Sequence, residues 1–496
     1  MPTPAEFISF IEVPNLNPTV SPTYYYMTDP GKEGLWKYDS SDQSGTANIG
    51  TILAISTSPT SRVIKRIFDG AVVVTWFGAI GDGTTDNYSK IKNAIETCCT
   101  LDITTLEFPP GNYRVNRGDP TTEFIAITKN LHLKGNQAIL NVDTSGNTYP
   151  NLGAASNRKF LTATGLTSLT LSGIIFKWTT KLNSALSTLS YGPYDPSFLF
   201  VVSSSNIKIS KCEFYFAGID FDDSSDIVIE GCVLKNGWNN TTYHAGAKLG
   251  NGLGNIRFKQ IHLDFNELQE NVFIRDNIFY NVVNAFYSSN INNLVFHRNK
   301  IEKTADTAVF DRCISQKKPS RRDISHNIFK DIGKSAIKTL DANNDADTSG
   351  NKAFGSCALV SFNIIENWGL KKSSAAILSA NNYVTEDNDS SYQEVSDFSK
   401  RSSQLNIIGN IISETESTSC GLLFQIINTK QVIIAENNVS INGLYDSESI
   451  NKICTYCNDV VISNNIFKTQ GTFGIKRCDN VRIANNHFIA GNNGTT

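Results

Sequence analysis

Methionine is nearly missing from this chain, with two in 496 residues, and charged residues make up only 18% of it. Glycine and asparagine are plentiful by contrast, a balance that suits a turn-rich β protein. No apolar run is long enough to cross a bilayer, and no membrane partner is expected. The net charge of −3 carries no basic surplus, which argues against nucleic acid. The opening Met1-Pro-Thr-Pro-Ala-Glu6 lacks the basic and apolar regions of a secretory leader. An extracellular setting is therefore expected to be reached by lysis or by a dedicated injection machine. The ten cysteines do not indicate a disulfide framework in a chain this long. Cys454-Thr-Tyr-Cys457 has no second Cys or His pair nearby at ligand spacing to complete a zinc site.

What is present is a short phrase that recurs from Ile207 to the C-terminus. It holds β-branched residues, two or three polar residues, an Asn or Cys, and an apolar pair. Ile227-Val-Ile-Glu-Gly-Cys232-Val-Leu, Val272-Phe-Ile-Arg-Asp-Asn277-Ile-Phe and Leu405-Asn-Ile-Ile-Gly-Asn410-Ile-Ile are examples. The closest copies lie about 20 to 28 residues apart, the period of a repeat architecture. Units this short cannot hold two helices, and their alternation is strand-like. One unit cannot bury its own apolar face, so the copies must stack, each as one coil of an all-β parallel β-helix. Stacking at roughly 4.8 Å brings like side chains into columns. Asn277, Asn299, Asn327, Asn363, Asn410, Asn438, Asn465 and Asn486 are expected to form an amide ladder continued by Cys212 and Cys232. Asn suits that place because it tolerates tight-turn backbone.

The N-terminal part reads differently. Six prolines within the first thirty residues and Tyr24-Tyr25-Tyr26 mark residues 1–66 as a small head module, and residues 67–496 as the solenoid. Val72 to Trp76 leads into the Gly-rich turn Gly81-Asp-Gly83-Thr-Thr-Asp86. A helix follows, with Asp86 as N-cap and Ile91, Ala94, Ile95 and Cys98 on one face. Its glycines do not fit dinucleotide spacing, so it is expected to cap the open N-terminal end of the solenoid. Trp76-Phe-Gly-Ala79, Gly81-Asp-Gly-Thr-Thr-Asp86 and Phe108-Pro-Pro-Gly-Asn-Tyr113 together resemble the opening signature of the pectate lyase superfamily, which includes many bacteriophage tailspikes. Lys32-Glu-Gly34-Leu-Trp-Lys-Tyr38 and Lys65-Arg66-Ile-Phe-Asp69-Gly70 resemble the head module that precedes the signature. The resemblance implies a right-handed β-helix that acts on polysaccharide. It also implies a homotrimer, and a head that attaches to a phage tail or injection particle. Few residues follow Asn486, so trimerisation through a C-terminal module is not expected.

A second strand in each coil suggests where chemistry sits. Ile219, Ala247, Phe286, Val309, Ile337 and Ile377 align as an inward column. Alternation then turns Asp220, Lys248, Tyr287, Phe310 and Lys338 outward, with Asp222, Ser289 and Arg312 as a parallel column. A solvated face is also mixed in charge. Tyr287 and Phe310 beside charge are nevertheless what a sugar-binding groove needs, and insertions at 239–268, 341–356 and 380–404 border the face. β-Elimination of an acidic glycan needs its carboxylate neutralised and a base for the C5 proton. Lys248, Arg312 and Lys338 can neutralise, and Tyr287 or Lys338 can act as base once a neighbouring cation lowers its pKa. Lys317, Lys318, Arg321 and Arg322 add positive charge in a nearby loop.

Hydrolysis instead needs two carboxylates, roughly 5 Å apart for retention or 6.5–9.5 Å for inversion. Asp220 and Asp222 sit about 6.5–7 Å apart at Cα on one strand. Asp311 is a third acid, although alternation turns it inward. Tyr243 and His244 stand at an insertion edge and fit either scheme. No cofactor is required. The resemblance allows a Ca²⁺ site, for which Asp341-Ala-Asn343-Asn344-Asp345-Ala-Asp347 supplies oxygens, as any polar loop tip would. The first expectation is a depolymerase acting as a lyase on an acidic surface glycan. A glycoside hydrolase on the same scaffold comes next, and a non-catalytic adhesin or fibre subunit is the alternative from another class.

Overall fold

A computed structural model of the chain describes residues 5–55, 62–116, 124–143, 159–179, 197–215, 218–235, 254–259, 269–289, 291–313, 320–341, 356–370, 375–381, 401–414, 423–441, 451–469 and 473–490. The recurring phrase folds as its period requires. Successive copies stack in parallel and build a β-helix with three sheets. Among the described residues the first sheet has twelve strands, from Ile125–Ile127 to Phe473–Lys476. The second and third come from strand pairs such as Val272–Arg275 and Ile278–Val282, which flank a tight corner. Residues alternate in and out along each strand, so Val272 and Ile274 are buried while Arg275 is exposed. Their inward faces share one core that runs from Val72 to Phe467.

The corner carries the amide ladder. Asn277 donates from its backbone N and its Nδ2 to Asn299 Oδ1, both at 3.0 Å. Asn299 repeats this to Asn327, and Asn327 to Asn363. Each Nδ2 also meets a main-chain carbonyl, as Asn277 does at Ile229 O, 3.0 Å. Every donor and acceptor of a buried amide is thereby used, which removes the penalty of burying it. Cys212 and Cys232 continue the column as buried thiols.

Two expectations about the ladder need correction. The member that follows Asn410 is Asn437, which joins Asn410 to Asn465 at 2.9 Å, while Asn438 is exposed. Asn438 occupies the outward place that Ile278 and Ile411 hold in other coils. The tight-turn backbone also belongs to the preceding residue. Asp276, Arg298, His326, Phe362, Glu436 and Asn464 all have φ between 50° and 60°. Left-handed backbone costs a non-glycine residue roughly 1–2 kcal/mol. The Asn that follows offsets that cost through its ladder bonds.

At the N-terminal end, the helix Tyr88–Thr100 turns Ile91, Ala94, Ile95 and Cys98 into the same core and seals it. Its N-cap is Asn87, not Asp86. Asn87 is fully buried and ties the Gly-rich turn together, accepting from Ile80 N at 2.8 Å and donating to Thr85 O at 2.8 Å. Asp86 accepts from the backbone of Tyr88 and Asn116. Gly81 and Gly111 face each other so closely that a Cβ on Gly81 would lie 2.9 Å from Gly111 Cα. That explains why both signature segments carry glycine. The head forms a five-stranded sheet between Glu6 and Arg66, with its own core around Tyr25, Met27, Trp36 and Ile64. Arg66 lies 4.5 Å from the Trp36 ring and 4.1 Å from the Trp76 ring, bridging head and solenoid. Asn437→Leu is expected to destabilise by about 1–3 kcal/mol in urea denaturation through broken ladder bonds. Asn438→Leu is expected to stay within about 0.5 kcal/mol. Equal effects would dismiss the ladder as a source of stability.

Candidate functional site

The outer face of the first sheet holds the candidate residues in register. Asp220, Arg257, Tyr287, Phe310 and Lys338 are Cα partners on five successive rungs. The inward column beside them runs Ile219, Ile256, Phe286, Val309, Ile337 and Ile377. Ile256 thus stands where Ala247 was expected, and Arg257 where Lys248 was expected. The insertion between the two coils hides the frame in the sequence, because strand-like Gly246-Ala-Lys-Leu249 precedes the true strand Gly254–Lys259. From Asp220 to Lys338 the column spans about 19 Å at the usual strand spacing.

Within this strip the Tyr287 and Phe310 rings lie 5.0 Å apart at 55°, and Lys338 Nζ sits 5.6 Å from the Phe310 centroid. Tyr287, Arg312 and Lys338 are half-buried. Asp220 and Asp222 face outward as expected but are buried, each 2% exposed. Phe310 is buried too, in an outer cluster with Leu340, Leu378 and Ile427 that Tyr287 and Tyr456 flank. This face is therefore no ordinary solvated flank. It joins an apolar patch to a strip that carries both carboxylates and cations.

Asp311, read from the sequence as a third acid, and Arg322, read as part of a basic loop beside the substrate, lie inside the solenoid instead. Asp311 alternates with outward Phe310 and Arg312, and Arg322 alternates with exposed Arg321 on the second sheet. They meet across the core as an ion pair, 0% and 2% exposed. Arg322 Nη1 also reaches Asp341 Oδ1 at 3.0 Å and donates to Ser356 Oγ at 2.7 Å. Ser288 donates to Asp311, and Ser402 donates to Asp341 at 2.6 Å. Ser288, Asp311, Thr339 and Ser379 occupy the inward column that holds Val201 and Phe221 before them and Ile426 after them. This polar seam spans four coils. Sequence reasoning missed it because the partners come from different sheets, although the alternation rule alone points Asp311 inward.

Tyr243, His244, Lys248, Lys317 and Lys318 lie outside the described residues, as do Asn343, Asn344, Asp345 and Asp347 of the candidate Ca²⁺ loop. Asp341 is committed to Arg322. Among the described residues no group of His, Cys, Asp or Glu is arranged to hold a metal.

No protein-family model and no curated protein matches the chain. Solved structures do resemble it. The surface adhesin PfbA of Streptococcus pneumoniae is 16% identical, with a TM-score of 0.47 over 84% of this chain and 91% of the adhesin. The tailspike of Acinetobacter baumannii phage AM24 is 13% identical, with a TM-score of 0.44 over 97% of this chain and 65% of the tailspike. WceF of Pantoea stewartii, described as a glycan biofilm modifying enzyme with a tailspike-like parallel β-helix fold, is 11% identical, with a TM-score of 0.40 over 90% of this chain and 49% of WceF. Likenesses at these identities say nothing about the reaction.

The ion cluster makes the two adjacent arginines unequal. Arg322→Met leaves Asp311 and Asp341 buried without their cation and is expected to cost about 3–5 kcal/mol in denaturant unfolding. Arg321→Ala, at an exposed position, is expected within about 0.5 kcal/mol. A mild Arg322 variant would return that residue to the list of surface contacts.

Proposed function

We propose that this protein is a tailspike-like polysaccharide depolymerase, borne on a virion or particle outside the cell, that binds and cleaves an acidic surface or capsular glycan by β-elimination. The observation that carries this reading is the Tyr287–Phe310 pair with Lys338 over the ring and Arg312 in the neighbouring column. Aromatic faces suit the apolar faces of sugar rings, and fixed cations suit uronate carboxylates. Arg312 and Lys338 neutralise the carboxylate, which acidifies the C5 proton. Tyr287, as its phenolate, takes that proton, the C4–O4 bond breaks as the C4–C5 double bond forms, and the leaving 4-oxygen receives a proton from the Tyr287 hydroxyl so formed.

Hydrolysis is the second reading, because Asp220 and Asp222 share one face of one strand. Their burial counts against it, since both carboxylates must reach a polymer. A non-catalytic adhesin would use the same strip for binding alone. The head would serve as the attachment to a phage tail or injection particle, in line with its resemblance to tailspike heads.

A homotrimer is part of the proposal. On the outer face of the third sheet, Val233, Ile278, Lys300, Ile328, Ile364, Ile411, Asn438 and Ile466 stand in one column. Ile278, Ile328, Ile411 and Ile466 are 46%, 39%, 48% and 42% exposed. A mostly apolar column along a solenoid flank, interrupted by Lys300 and Asn438, suits burial against copies of itself in a closed ring.

Digestion of uronate-containing capsular polysaccharide should generate ultraviolet absorbance from an unsaturated product. New reducing ends without that absorbance would indicate hydrolysis, and neither would indicate an adhesin. For the lyase, Lys338→Ala and Arg312→Ala are expected to lower the rate by on the order of 10² to 10⁴ with melting temperature nearly unchanged. For a hydrolase, Asp220→Asn and Asp222→Asn would be the worst lesions. Light scattering is expected to give a trimer mass, and Ile328→Asp with Ile411→Asp a monomer. A monomeric parent protein would overturn the assembly.

A further inference from the structure

The first-to-second sheet corner carries its own column of small polar residues. Each follows a residue in left-handed backbone: Ser204 after Ser203, Ser224 after Asp223, Thr429 after Asn428, Cys457 after Tyr456 and Cys478 after Arg477. Ser204 and Ser224 use their hydroxyls to close the turn, donating at 2.8 Å to the carbonyl two residues back. In the last two described coils, thiols do the same work. Cys457 Sγ lies 3.4 Å from Thr455 O, and Cys478 Sγ lies 3.4 Å from Lys476 O.

These two cysteines sit one above the other. Thr455 and Lys476 are Cα partners, and Cys457 N donates to Cys478 Sγ at 3.4 Å. In-register stacking spaces such Cα atoms about 4.8 Å apart, inside the range a disulfide spans. Cys457 is buried and Cys478 is half-buried, so only the second is open to a reagent. The coil that Cys478 belongs to also needs support. Its Val481, Ile483 and Phe488 are 41%, 56% and 55% exposed, although the matching residues one coil earlier are buried. A coil with so little buried apolar surface opens locally before the rest of the solenoid does.

We propose that Cys457 and Cys478 are a disulfide-forming pair that staples the coil Phe473–Ala490 to the coil above it in an oxidising setting. The inference is independent of the glycan reading. With a small-molecule disulfide as oxidant, the Cys478 thiolate attacks one sulfur of the oxidant and expels one thiolate. Cys457, deprotonated in turn, attacks Cys478 Sγ of the mixed disulfide and expels the second. Two protein thiols thus lose two protons and two electrons, and the oxidant leaves as two thiols. The Cys454 thiol, more than burial, pushes Cys457 up to about 12 while Cys478 pulls it down, and Cys478 is itself raised by its hydrogen bond to Cys457 and by burial, so both steps are slow at neutral pH and the closing step needs the proximity that stacking supplies. Cys212 and Cys232 are stacked in the same manner on the ladder, but both are buried, so no reagent reaches either.

The test incubates the folded full-length protein with glutathione disulfide, blocks remaining thiols, and maps tryptic peptides. The expected product joins Ile453–Lys468 to Cys478–Arg482, with Cys212 and Cys232 still blocked as thiols. Proteolysis after Lys476 and Arg477 in the native protein is expected to slow by on the order of tenfold to a hundredfold, and reductant should restore it. Cys478→Ser places at this corner the residue that earlier coils already use, so it should fold and lose both the cross-link and the protection. The proposal falls if Cys478 stays free or stops at the glutathione adduct. It falls equally if Cys457 pairs with Cys454, or if the cross-link forms without protecting the coil.

Discussion

Stacking at one strand spacing is the constraint from which the rest of this protein follows. Each coil must give its backbone donors and acceptors to the coils above and below it, so identical positions fall into columns. A column is then uniform in its demands: apolar inside, hydrogen-bonded at corners, free to vary outside. The amide ladder is the strictest case. A buried Asn satisfies its own amide only if the coils on either side also supply Asn or an equivalent acceptor, as Asn299 does for Asn277. The same geometry forces the residue before it into left-handed backbone, where a β-branched residue would be strained. None of the residues found there is β-branched.

That uniformity explains which parts of the fold could be read in the amino-acid order. Period and alternation are properties of columns, so the coils, the inward residues and the buried face of the N-terminal helix were legible. Errors arose where one residue of frame mattered. In Glu436-Asn437-Asn438-Val439 both asparagines fit the phrase, and only the backbone decides which one turns inward. Asp86 and Asn87 both suit a helix start. Asn87 was needed to hold Ile80 and Thr85, which left the cap to its backbone and gave Asp86 the amides of Tyr88 and Asn116. Lys248 and Arg257 compete for one rung because a long insertion allows two strand-like stretches.

The candidate site was legible in its column and not in its burial. Alternation puts Asp220, Tyr287, Phe310 and Lys338 on one face, and nothing in a single strand reveals that Asp220 is 2% exposed while Lys338 is only half-buried. The seam around Arg322 was illegible for a related reason. Its bonded partners are separated by up to 61 residues, as Ser402 and Asp341 are, and its members belong to different elements of four coils. In the sequence Arg322 is one of four basic residues in a short run, and the structure separates it from Arg321 by a single change of direction.

The seam and the strip lie back to back. Asp311 points inward from the same strand that sends Phe310 and Arg312 outward, so the ion pair with Arg322 braces the strand on which the candidate site stands. A buried ion pair seldom adds net stability over a well-packed apolar core. What it does supply is direction, since Asp311 accepts from Arg322 and Ser288 only in one register. A register slip of one residue would turn Asp311 to the outside and Phe310 and Arg312 into the core. With Asp311 tied to the second sheet through Arg322, and Asp341 tied through the same guanidinium on the next rung, two adjacent rungs of the strip are locked against that slip. The interior charge is therefore best understood as the reason the aromatic and cationic side chains outside keep one fixed spacing, which a binding strip for an extended polymer requires.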